Sequence, residues 1–99
     1  MIDMTGTAYV GDSGSVILIE TNIELKNATM IKINVYTPNK ETKIWNAEVD
    51  LTNTKFIKYV VLAGDFAIPG TYYLQPEVAV GGFKGKGETV KIMIKQSFT

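Results

Sequence analysis

The chain has 99 residues, enough for one domain (1–99) with a modest core, and its 45% hydrophobic content is that of a folded protein. It has no cysteine and no histidine, which removes disulfides, thiolate metal sites, the commonest metal ligand and the commonest general base. Its ten basic residues are all lysine and balance ten carboxylates. There are therefore no guanidinium forks for phosphate or guanine and no net field toward polyanions, so neither nucleic acid nor a membrane is an expected partner.

The first four residues carry no basic start and no apolar stretch follows them, so no secretory signal is expected. The longest apolar run, 59–63, is too short to span a bilayer. Residues 5–10 form a short strand candidate that ends at the turn signal Gly11-Asp12-Ser13-Gly14. Residues 15–20 form the next strand; its continuous apolar run, Val16 to Ile19, suits burial on both faces or an edge packed by a neighbour. Residues 21–27 show no period, and Ile23 and Leu25 are placed to tuck a loop or a single helical turn under the core. Asn27-Ala28-Thr29 matches a glycosylation sequon, which carries little weight without a secretion signal.

The organising stretch is 28–45. Ile31, Ile33 and Val35 alternate with Lys32 and Asn34, so the strand has one dry and one wet face. Thr37-Pro38-Asn39-Lys40-Glu41 breaks the pattern as a turn, and a second strand runs on through Trp45, Ala47 and Val49. After a polar link at 50–54, residues 56–62 form a strand with Ile57, Tyr59 and Val61 on one face. Residues 63–70 read as a corner. In 71–80, Tyr72, Leu74, Val78 and Val80 share one face and Tyr73, Gln75, Glu77 and Ala79 the other; Pro76 predicts an edge position or a bulge. Residues 81–87 read as a flexible loop, and 88–95 as the last strand, with Val90, Ile92 and Ile94 inward.

Seven short strands with turn signals between them, and no convincing helix, predict an all-β fold: an antiparallel β-sandwich, with a small closed barrel as the alternative. Gly70-Thr71-Tyr72-Tyr73-Leu74 is similar to the tyrosine corner of immunoglobulin-like domains, although Tyr72 also fits a plain core aromatic.

Several motifs suggest chemistry. Gly11-Asp12-Ser13-Gly14-Ser15 looks like a serine-protease nucleophile loop, but a serine needs an adjacent base and the chain has no histidine, so no catalytic residue is assigned and Ser13 is expected to be inert. A phosphate loop at 81–87 would need a following helix, and a strand follows. Asp12, Asp50 and Asp65 are too sparse for a dense calcium loop, and no cofactor is expected. Trp45, Tyr36, Tyr73 and Phe83 could form a sugar-stacking platform; the inward phase of Trp45 with Ala47 and Val49 favours the core instead.

The order of landmarks resembles a family of small immunoglobulin-like domains in tailed-phage tails and baseplates, of the kind at the N-terminus of siphophage baseplate upper proteins. They are Tyr9 to Asp12, Ala28-Thr29, Pro38-Asn39, Trp45, Tyr59, Gly64-Asp65, Gly70 to Gln75 and Glu88-Thr89-Val90, with Lys40 where a glycine is usual. The resemblance implies a non-catalytic structural protein of a phage or prophage virion, located in the tail and, before assembly, in the host cytoplasm. It implies other tail or baseplate proteins as partners, with a homo-oligomer as a further possibility. A carbohydrate-binding sandwich and an adhesin or enzyme-accessory domain are the alternatives. Sheet edges offer unpaired backbone to a partner, and strand 5–10 carries no lysine guard, unlike 88–95 with Lys91 and Lys95; this selects Tyr9 as the contact residue.

Overall fold

The computed structural model describes residues 10, 11 and 13–96, and the backbone of 2–4. These residues contain nine strands: β1 (Ile2–Met4), β2 (Val16–Glu20), β3 (Ala28–Tyr36), β4 (Thr42–Asn46), β5 (Glu48–Val49), β6 (Phe56–Val60), β7 (Gly70–Val80), β8 (Phe83–Lys86) and β9 (Val90–Ile94). All pairs are antiparallel. One sheet has the order β1-β2-β6-β5; the other has β4-β3-β7-β8, with β9 also pairing β7. The fold is a two-sheet sandwich rather than a barrel. Its strand order is immunoglobulin-like: β1, β2, β6 and β5 take the places of A, B, E and D, and β3, β7 and β8/β9 those of C, F and G, with β4 as an added C′ strand.

Alternation builds the core. Ile17 and Ile19, Ile33 and Val35, Ile57 and Tyr59, Tyr72 and Leu74, and Ile92 and Ile94 are all buried at spacing two. The apolar run of β2 follows the same rule, with Val16 and Leu18 only half-buried on the outer face. The loop after β2 does tuck inward. Leu25 is fully buried, Ile23 packs against the core, and the amides of Thr21 and Leu25 donate to Lys55 O and Thr54 O.

Besides β1, where the sequence pattern marked no strand, three strand assignments differ from that pattern. First, the strand read through Trp45, Ala47 and Val49 is two strands in two sheets. The chain crosses over at Ala47, whose amide donates to Ile31 O at 3.2 Å, and β5 then pairs with β6. Alternation cannot report this, because inward residues of either sheet face the same core. Second, residues 81–87 are not a flexible loop. Val80 pairs with Phe83 across the two-residue turn Gly81-Gly82, with φ 58° at Gly81, and β8 follows. Third, Pro76 lies in the central strand of its sheet, not at an edge. Its carbonyl accepts from Gly87 N at 2.9 Å, where the neighbour of β7 changes from β9 to β8. In an antiparallel pair a residue's N–H and C=O point to the same side, so the missing proline donor falls in the gap between β8 and β9.

In the 37–41 turn, Thr37 N donates to Glu41 O at 2.9 Å and Lys40 N to Thr37 O at 3.0 Å. The left-handed residue is Lys40, at φ 66°, rather than Asn39. An L-residue pays about 1–2 kcal/mol there, which glycine avoids at a smaller entropic cost. Lys40→Gly is therefore expected to stabilise the fold by about 0.5–1 kcal/mol, read as a higher urea midpoint at unchanged slope.

Candidate functional site

Trp45 leaves the β4 backbone toward the core and is 5% exposed. It stacks on Tyr59 of the opposite sheet, with centroids 4.6 Å apart and planes 9° apart, and meets the edge of Phe66 at 5.7 Å. It is a core residue and no part of a sugar platform. Phe66, fully buried against Trp45 and Tyr72, was not visible in the sequence pattern because it sits in the irregular corner 63–70, which has no period to flag it. Tyr72 is both things the sequence allowed: it is buried, and its hydroxyl donates to Ile68 O at 2.8 Å and accepts from Ile68 N at 3.3 Å, which is the tyrosine corner.

The loop carboxylates are engaged internally. Asp65 accepts from Tyr59 Oη and from Leu62 N, and Asp50 accepts from Thr52 N. Asp12 lies outside the described residues. Among the described residues, no three acidic side chains gather around a common point. Ser13 is exposed in a turn whose Gly14 amide donates to Val61 O at 2.7 Å.

Burial, followed by the bond to Asp65 and its charge, pushes the Tyr59 phenol well above its ordinary value of 10. The folded state then keeps a proton that the unfolded chain releases. This stability is present below about pH 10 and is lost as pH rises further. Tyr59→Phe is expected to cost about 1–2 kcal/mol at neutral pH and to flatten the decline in urea midpoint between neutral and strongly alkaline pH.

The two outer faces differ in chemistry. On the four-stranded sheet, Val16, Leu18, Phe56 and Val60 point outward by register, with Lys58 between Phe56 and Val60 and opposite Leu18, and with Glu20 and Glu48 beside them. Val60 is exposed, and Leu62 just beyond it is 61% exposed. On the five-stranded sheet, Tyr36 pairs with Tyr73, Asn34 with Gln75 and Ile44, and Lys32 with Glu77. The tyrosine rings lie 6.2 Å apart, tilted by 48°, at a groove of about 620 Å³ that also meets Ile44, Gln75, Lys86 and Thr89. Of the four aromatics considered for a platform, the structure brings together Tyr36 and Tyr73 alone. Phe83 lies on the other face of the sheet, over Gly85. Glu77 accepts from Asn34 Nδ2 at 2.9 Å and pairs with Lys32 at 3.8 Å. The Asn34 bond, helped by Lys32, Lys86 and Lys84, holds its carboxyl below the usual value.

Tyr9, the contact residue chosen from the sequence, lies with residues 5–8 outside the described residues. Val10, the last residue of that proposed strand, is in a turn, and its amide donates to Lys95 O at 3.0 Å. The described outermost strands are β1 and β5 in one sheet and β4, β8 and β9 in the other. Among the described residues no helix is long and apolar enough to cross a membrane. Neither a protein-family model nor a curated protein matches the chain.

Proposed function

We propose that this chain is a non-catalytic structural component of a bacteriophage or prophage tail or baseplate, acting through protein–protein contacts in the virion after synthesis in the host cytoplasm. The sequence landmarks that resemble phage tail domains support this reading, and so do the framework roles of several of them: Trp45 in the core, Asp65 on Tyr59, and Gly70 to Leu74 at the tyrosine corner.

The observation that carries the contact surface is the apolar strip of the four-stranded sheet. Leu18 and Val60 face outward there, and Leu62 adds an exposed side chain at its end. Val60 and Leu62 are exposed, half-buried Val16 and Leu18 adjoin Val60, and Lys58 stands beside them; exposed apolar side chains that adjoin one another in this way mark protein contacts. The test is detection of the chain in purified particles, with cross-linking of wild type, Val60→Lys and Tyr9→Ser to the other tail proteins. The expected result is a particle-bound chain whose cross-links are lost in folded Val60→Lys. A chain absent from purified particles would sink the virion reading, and undiminished cross-linking of Val60→Lys would remove this strip from it.

A further inference from the structure

The zero net charge of the chain conceals a segregation that only the sheet register reveals. Lys84 and Lys86 lie opposite Ala79 and Glu77, and Lys91 lies opposite Tyr73. All three therefore point outward from the five-stranded sheet, and the same alternation, carried one residue past the end of β9 and beyond the exposed Met93, places Lys95 on the same face. β8 and β9 run end to end along the same side of β7. The four lysines consequently form a single row. At about 3.3 Å per residue, the six-residue offset from Ala79 to Tyr73 spans about 20 Å, and the step from Lys91 to Lys95 adds about 13 Å. Lys32 completes the face, and Glu77 is its one carboxylate on a strand, already bonded to Asn34 and paired with Lys32.

Beside this row lies the groove between Tyr36 and Tyr73, with Gln75 and Thr89 presenting an amide and a hydroxyl. Among the described residues, the Gln75 side chain has no hydrogen-bond partner.

We infer that the outer face of the five-stranded sheet binds an acidic polysaccharide, its carboxylate or phosphate groups along Lys84, Lys86, Lys91 and Lys95 and a sugar ring on the Tyr36–Tyr73 groove. Charge complementarity selects a linear polyanion: the lysines follow one line, the one carboxylate on a strand of that face is already engaged, and Glu88 is the one acidic residue in the link between β8 and β9. The groove selects its class. Amides and hydroxyls beside an aromatic ring match the hydroxyl-bearing faces of a sugar, and ligand sites combine such a surface with a few convergent polar groups. A single-stranded nucleic acid is the weaker fit. Its successive bases stack on flat aromatic platforms, whereas these two rings are tilted by 48° to each other, and the chain has no arginine. The inference does not depend on the virion reading, and it uses the sheet face opposite to the one proposed for protein contacts.

The test is calorimetric titration of the intact chain at low salt with polygalacturonate and hyaluronan fragments, neutral dextran, and an oligothymidylate of matched charge. The expected result is binding of at least one acidic polysaccharide, weakening as salt rises, with dextran inert and oligothymidylate weaker. Lys84→Gln/Lys86→Gln/Lys91→Gln and, separately, Tyr73→Ala should each lower the affinity about tenfold, equivalent to about 1.4 kcal/mol. Both variants alter exposed side chains, and circular dichroism checks their folding. Four results would each overturn the inference: no binding of either acidic polysaccharide, equal binding of dextran, tighter binding of oligothymidylate, or a folded Tyr73→Ala that binds like wild type.

Discussion

Replacing Trp45 with alanine is expected to destabilise the protein by about 3–5 kcal/mol, the range for removing a large buried aromatic. The size of the effect follows from position. Trp45 projects from β4 of one sheet and stacks flat on Tyr59 of the other, while Phe66 meets it edge-on and Tyr72 in turn packs edge-on against Phe66. Truncation opens a cavity between two sheets that the remaining core side chains hold apart, so collapse recovers little of the loss. A domain of this size has about 5–15 kcal/mol in total, and the variant would stand near its unfolding limit at ambient temperature. Equilibrium urea unfolding measures the change, and the native emission of this single tryptophan provides a second reading. Emission resembling that of free tryptophan in the folded protein, or a cost under about 1 kcal/mol, would show that the residue is not where the two sheets meet.

A comparable loss is expected at a residue with no side chain. Gly70 opens β7 at φ 128°, a conformation open essentially to glycine alone, and a Cβ there would lie 2.8 Å from Pro38 Cβ and 2.9 Å from Pro38 Cγ. Gly70→Ala thus combines backbone strain of about 1–3 kcal/mol with overlap of about 1–3 kcal/mol. Pro38 cannot step aside, because its ring is closed onto its own backbone in the tight turn between β3 and β4. The expected cost is about 2–5 kcal/mol. Gly82→Ala is the control: its Cβ would meet nothing within 4 Å and its φ is ordinary, so a change of at most about 1 kcal/mol, of either sign, is expected. Equal behaviour of the two variants in thermal or urea unfolding would refute the steric account of Gly70.

The expected outcome at Gly70 also explains why a glycine and a tyrosine two residues apart act together with a proline far away in sequence. Gly70 brings β7 close to the Pro38 turn, and two residues later the Tyr72 hydroxyl holds the incoming chain at Ile68. The later end of the corner 63–70 is thereby fixed, Asp65 holds its start by accepting from Tyr59 Oη and Leu62 N, and Phe66 lies buried between. The motif Gly-x-Tyr was readable as a local signature, but the burial of Phe66 that depends on it was not, since no repeat passes through that segment.

Much of the molecule was determined by the sequence itself. The two-residue period assigned the inward sides of β3, β6, β7 and β9 correctly, because a strand's successive side chains must point to opposite faces and only one face can be dry; in the continuous apolar run of β2 it offered no choice, and the structure buries Ile17 and Ile19. The inward placement of Trp45 followed from the same rule, and the turn at 37–41 from its proline and asparagine. Tertiary structure decided what a period cannot encode. It decided which sheet each half of residues 42–49 joins, since both inner faces meet one core. It decided that a proline is tolerated in a central strand, because the neighbouring strand changes beside it. It put the left-handed conformation on Lys40 rather than Asn39. It also decided where charge collects. A balanced count of lysines and carboxylates says nothing about their distribution in space, and only the register of β8 and β9 on β7 aligns Lys84, Lys86 and Lys91 on one face. Those properties depend on which distant strands become neighbours, and that choice is made by the summed burial and hydrogen bonding of the whole chain rather than by any local stretch of it.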